Sequence, residues 1–193
     1  MIGMGGAALA ALGLAACGSS PGNDNPAIIG SSTSTPAVTW AAPANATAAV
    51  TAAGLHMLST EGQVEHIHVH LDVIVNGSHI VVPAGIGIDE AAHQLSPVHT
   101  HDTSGIIHVE SPTPTTYTLG EFFSEWAQPL TSTNLGPIQA TASEQIRVYV
   151  NGALYPGNPA SIPLVAHEEI AALAGPPGTL PTPPSSYQFP AGL

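Results

Sequence analysis

Three histidines alternate along Glu65-His66-Ile67-His68-Val69-His70-Leu71-Asp72-Val73-Ile74-Val75, and His99-Thr100-His101 and His108 follow within a few dozen residues. Imidazole ligates transition metals, transfers protons and changes charge near neutral pH, so this pattern points to one of those three chemistries. Eight of the ten histidines fall between His66 and His108. A wet strand face is served equally well by Thr, Lys, Glu or Gln, so a merely solvated face leaves three alternating imidazoles unexplained. The isolated His56, His93 and His167 read as ordinary hydrogen-bonded histidines.

Metal coordination accounts for the density best; pH sensing by clustered imidazoles and a plain polar face are the competing readings. On a strand, residues i and i+2 lie about 6.5 to 7 Å apart, a spacing from which two imidazoles converge on one ion. Residues i and i+4 lie about 13 Å apart, which sets His66 and His70 in different spheres. The expected site therefore takes two adjacent members of His66, His68 and His70 with ligands from His99, His101 or His108. A two-ion site using all three is the variant. Asp72, His79, Asp102 and Glu110 are the auxiliary candidates, either as direct ligands or holding the second imidazole nitrogen. Cys17 and Met57 are the only sulfur-bearing residues beyond the leader. Zn(II) or Cu(II) fits such an imidazole and carboxylate set, and a thioether Cu(I) site does not.

These residues need a strand to present them. Alternation puts Ile67, Val69, Leu71, Val73 and Val75 on one face and His66, His68, His70 and Asp72 on the other. Asn76-Gly77 then predicts a type I′ hairpin with Val75 opposite Ser78, Val73 opposite Ile80, Leu71 opposite Val82 and His79 beside Asp72. Val148-Tyr149-Val150-Asn151-Gly152 predicts a second hairpin with the same apolar face and no histidine. Ala84-Gly85-Ile86-Gly87-Ile88 reads as an edge, a bulge or a close backbone approach. Thr118 and Glu121 form a capping box ahead of Leu119, Phe122, Phe123 and Trp126, so one short helix is expected near 118–127. For Ile170-Ala171-Ala172-Leu173, strand and helix both remain open. The expected fold class is α+β, mostly β, built from antiparallel hairpins.

Residues 1–16 form an apolar leader that runs up to Cys17 through Leu14-Ala15-Ala16-Cys17. That tetrapeptide resembles the lipobox of bacterial lipoproteins, which implies cleavage before Cys17, lipid on its sulfur and amino group, and residence on the outer face of the cell membrane. Residues 17–51 are rich in Ser, Thr, Pro and Ala and read as a tether with a root-mean-square reach of about 30 Å. Residues 52–174 form the expected His-rich domain, and 175–193 a Pro-rich tail. Arg147 is the only basic side chain, and the formal net charge is -12. Phosphate recognition rests on Lys and Arg, so a nucleic-acid partner is excluded.

Three longer runs carry a further likeness: His-x-His-x-His-Leu-Asp-Val-x-Val-Asn-Gly, His-Thr-His-Asp-x-Ser-Gly-Ile-Ile-His-Val-Glu-Ser and Thr-Leu-Gly-Glu-Phe-Phe. Together they resemble an uncharacterised family of bacterial secreted or membrane-anchored proteins across about 64–174. The resemblance implies a shared fold and brings no activity. The expected function is a membrane-anchored module that binds zinc or copper for buffering, sensing or delivery. One alternative is a metal-dependent enzyme with three histidines and an open position, using Glu110 or Asp102 as base. The other is a structural or partner-binding envelope protein without metal. No His-Glu-x-x-His motif is present, and the one Gly-x-Ser-x-Gly match, Gly18–Gly22, falls in the Ser/Pro-rich tether rather than between a strand and a helix, which weighs against the enzyme.

Overall fold

The computed structural model describes residues 40–193; the leader, Cys17 and the tether up to residue 39 fall outside the described residues. In chain order the elements are α1 (Ala46–Ala52), β1 (Glu65–Val75), β2 (Ser78–Ile80), β3 (Ile88–Asp89), β4 (Gln94–Leu95), β5 (Val98–His99), β6 (Ile106–Ser111), α2 (Leu119–Glu125), β7 (Asn134–Leu135), β8 (Ile138–Gln139), β9 (Gln145–Val150), β10 (Ala153–Leu154) and β11 (Glu169–Gly175). The class is α+β and mostly β, as expected.

One main sheet has the order β10-β9-β11-β1-β6-β5, with β2 also paired to β1. Both Asn-Gly turns take positive φ at each residue, 52° and 78° in the first and 51° and 78° in the second, as type I′ geometry requires. The first hairpin then has the expected register, Val75 with Ser78, Ile74 with His79 and Val73 with Ile80, but ends there: the Leu71 N–H donates to the Gly105 carbonyl at 3.0 Å, and Leu71 does not pair with Val82. Residues 73–75 of β1 pair with β2 and with β11, and His70 pairs with both Ile106 and Glu169. It follows that β6 and β2 lie end to end along one edge of β1, with β11 along the other.

The Ile170-Ala171-Ala172-Leu173 segment is a strand, buried along its whole length. It lies parallel to β1 and antiparallel to β9, so the sheet is mixed where the sequence suggested hairpins alone. A strand covered on both faces reads as a continuous apolar run, which is why its period was silent.

Val69, Leu71 and Val73 pack against Leu119, Phe122, Phe123 and Trp126 of the α2 segment in the principal core. Each such side chain contributes about 2 to 3 kcal/mol when fully buried. The capping box closes as expected: the Glu121 carboxylate accepts from the Thr118 N–H at 2.6 Å, and Thr118 Oγ1 accepts from the Glu121 N–H.

Packing extends past both bounds of the expected 52–174 domain. The Trp40 ring lies 5.5 Å from Trp126, whose Nε1–H donates to the Trp40 carbonyl at 2.9 Å. On the other face of the sheet, Leu180 packs against Ile74, Ala171 and Leu173, and Tyr187 stacks on His70. That face is apolar at one end, and the Pro-rich tail supplies its cover. At the opposite end it carries the histidines.

Candidate metal centre

Strand pairing assembles the imidazoles. His68 lies opposite His108 on β6, and His108 lies opposite His99 on β5. Directly opposed residues share a face with Cβ atoms about 4.5 to 5.5 Å apart, so three adjacent strands contribute one rung of histidines. The His68 and His108 rings meet edge to face at 4.6 Å, and His99 and His108 lie nearly parallel at 5.5 Å. His101, just past β5, turns back to lie 4.7 Å from the His99 ring and 4.6 Å from that of His108. Nε2 of His99 and Nε2 of His101 are 3.1 Å apart. Two ligands of one tetrahedral ion at 2.0 to 2.1 Å stand about 3.3 Å apart, close to this separation.

His99 is fully buried beneath the chain at Gly87, where an added Cβ would fall 2.6 Å from the Val98 carbonyl oxygen and 3.1 Å from the His99 Cβ. Gly87 therefore serves a close backbone approach, whereas Gly85, at φ 76° with nothing within 4 Å of an added Cβ, serves a turn. Nδ1 of His99 lies 2.9 Å from the Ser96 carbonyl, which can only accept, so Nδ1 carries the proton and Nε2 turns its lone pair toward His101. Burial and the neighbouring His101 depress the His99 pKa to about 3. His108 is depressed to about 4 by burial and then by His101 and His68. His68 also lies below its ordinary value, through burial and then His66. All three are neutral at pH 7, the form that binds metal.

Glu110 is buried opposite His66. Its Oε1 lies 3.3 Å from His108 Nδ1 and 3.5 Å from His66 Nε2. Its other oxygen, Oε2, and the Nε2 of His68 are both buried without a hydrogen-bond partner. Leaving such a group unsatisfied costs about 1 to 3 kcal/mol. Burial, then the Glu61 charge, raises the Glu110 pKa.

Three donor groups could hold an ion, each with its atoms within 4.8 Å of one another: His99, His101, His108 and Glu110; His66, His68 and Glu110; His70, Asp72 and Glu169. In the third, both His70 nitrogens are already engaged, Nδ1 with Glu169 Oε2 at 2.6 Å and Nε2 with the Ser104 carbonyl at 2.9 Å. Burial opposes the charged ring, but the Glu169 hydrogen bond and charge outweigh it and raise its pKa. His70 thus donates from Nε2 to a carbonyl and shares a proton with Glu169 at Nδ1, so neither nitrogen stands free, and its group with Asp72 and Glu169 is separate from the rung of His68, His108 and His99.

Three auxiliary residues also fall outside the His108 group. Asp72 pairs with the exposed His79 at 3.2 Å and groups with His70 and Glu169, and neither Asp72 nor His79 is among the donors around His108. Asp102 is exposed and accepts from the Ser104 N–H at 2.8 Å, holding its own turn. The structure therefore brings together His66, His68, His99, His101, His108 and Glu110.

Ser96, Glu125 and Glu169 escaped the sequence reading. Glu169 had a signal, since a carboxylate at the head of a wholly apolar strand must find a partner or a proton. Glu125 had one too, three residues from Phe122 on the apolar side of α2. Ser96 reaches His99 through its carbonyl, for which no residue type speaks, and Glu125 through its hydroxyl.

No family model, curated protein or solved structure matches the chain. No helix among the described residues is long and apolar enough to cross a membrane.

Proposed function

We propose that this is a lipid-anchored protein of the outer membrane face that holds Zn(II) or Cu(II) through His99, His101 and His108 with Glu110, for buffering, sensing or delivery. The anchor rests on the lipobox at Cys17, and the likeness to bacterial secreted or membrane-anchored proteins accords with it. The observation that carries the metal reading is the pair of Nε2 atoms 3.1 Å apart, one of them fixed as an acceptor by the Ser96 carbonyl. Three imidazoles and a carboxylate fill four positions, which fits holding and transfer better than catalysis at an open position. His101 is exposed, so the ion is reachable from solvent.

The test is elemental analysis and metal competition on protein purified without a histidine tag. His101→Ala should weaken binding at this group at least tenfold while the far-UV circular dichroism spectrum stays unchanged. Wild-type protein that retains neither metal defeats the proposal. For the anchor, Cys17→Ser should move the protein from the membrane fraction to the soluble one.

A further inference from the structure

The donors described above outnumber one ion's needs. Beyond the four ligands assigned to the first ion stand His66 and His68, whose rings lie 5.1 Å apart. They form with Glu110 a donor group of their own. Two unsatisfied buried atoms, His68 Nε2 and Glu110 Oε2, belong to this group. His68 and Glu110 are only 4% and 3% exposed, so water does not relieve them. A surface cavity of about 320 Å³, lined by His66, His68, Ala166 and His167 among others, opens beside the pair.

We infer that the face holds two ions, the second bound by His66 and His68, with Glu110 shared between them. This rests on the proposed function, since the shared carboxylate is also the fourth ligand of the first ion. Carboxylate geometry permits it: two oxygens offer about four lone-pair sites, enough to ligate on both sides. Glu110 is placed for it, because its Oε1 lies within 3.5 Å of a nitrogen from each group. Both groups draw on the same two rungs, His68 opposite His108 and His66 opposite Glu110, so the two ions would lie side by side across one carboxylate, as in the roughly 4 Å of carboxylate-linked pairs.

Unequal affinity follows from the same geometry. The first group includes the fully buried His99, whereas the His66 side chain is 48% exposed. A second divalent ion also approaches the charge of the first. The His66 and His68 ion is therefore the weaker one, and it faces the cavity. It is the ion that exchanges.

The experiment is a Cu(II) and Zn(II) titration of the metal-stripped full chain, with bound metal measured by equilibrium dialysis and coupling by electron paramagnetic resonance of the copper form. Two equivalents are expected, binding in separate steps. At the second equivalent the copper signal per ion should fall or show dipolar splitting. His66→Ala should bind one equivalent with full signal per copper, and Glu110→Gln should weaken both steps at least tenfold. Saturation at one equivalent in the wild type, or two equivalents with uncoupled signals, overturns the second ion and leaves the first standing. Binding of neither metal overturns both. The wild-type spectrum needs no variant to fold, and His66 is exposed enough that its truncation leaves the core intact.

Discussion

Glu125 provides the sharpest test of how the site is supported. It is fully buried on α2, accepts a hydrogen bond from the Ser96 hydroxyl, and has an Oε2 with no partner. Burial pushes its pKa up to about 8 from an ordinary 4.5, against the opposing pull of the Ser96 hydrogen bond. A carboxyl raised in the folded state stabilises the fold most where both states are protonated. That stability is lost as pH climbs from 4.5 through 8. One pKa unit is worth about 1.4 kcal/mol, so the loss is roughly 3 kcal/mol by pH 7 and approaches 5 above pH 8. Glu125→Gln keeps an acceptor for Ser96 and cannot ionise. Urea unfolding of the metal-free variant and wild type from pH 4.5 to 8.5 should give similar stability at the acid end. The variant's advantage should then grow by about 1.4 kcal/mol per pH unit and level off near pH 8. Taking the difference cancels the imidazoles, which titrate in both proteins. A difference that stays flat across this range would refute the buried, proton-holding carboxyl and the support it gives Ser96 beneath His99.

The imidazoles set the opposite slope. His99 and His108 are depressed to about 3 and about 4, so the unfolded chain takes up protons near 6.5 that the fold refuses, and metal-free protein should lose stability as pH falls below 6.5. Urea midpoints between pH 7 and 4 check this, and His99→Gln should flatten the decline. Truncating His70 strands the Glu169 carboxylate, so His70→Ala should cost about 3 to 5 kcal/mol by chemical denaturation while the metal stoichiometry of the folded fraction stays unchanged. Tyr187 stacks on His70 with centroids 3.6 Å apart and planes within 5°, so Tyr187→Ala should cost about 1 kcal/mol or more and Tyr187→Phe little. Equal losses in the two Tyr187 variants would assign the effect to the hydroxyl instead.

Local pattern carried the reading as far as local physics reaches. Alternation and Asn-Gly were enough for the first hairpin, its register and the placing of His79 beside Asp72, because a two-residue type I′ turn leaves one register open. The capping box and the Leu119, Phe122, Phe123 and Trp126 spacing were enough for α2. What decided the ligand set was which strands flank β1, and nothing within β1 records that. His68 joins the cluster because β6 sets His108 opposite it, and His70 leaves because parallel pairing with β11 sets Glu169 opposite it. Both are positions on one alternating motif, two residues apart. Spacing could separate His66 from His70, but only the neighbours could say which of them would lose its metal-binding nitrogen to a carboxylate.

The second hairpin sharpens the argument for a ligand. β9 and β10 fold around the same Val-x-Val-Asn-Gly turn, and on the sheet face that carries the histidines of β1 they place Arg147 and Tyr149. The architecture thus forms without imidazoles. On β1, β6 and β5 the same face buries His68, His99 and Glu110 and leaves two of their polar atoms unpaired. Apolar residues there would pack at no such cost, and replacing buried polar groups with well-packed hydrophobic ones is often neutral or stabilising. Where a sheet keeps an expensive polar rung that its own hairpin shows to be dispensable for folding, the rung answers to something the bare chain lacks. A divalent ion would fit that role, since the donor atoms lie within 4.8 Å of one another and an ion there would satisfy Nε2 lone pairs and a carboxylate oxygen together.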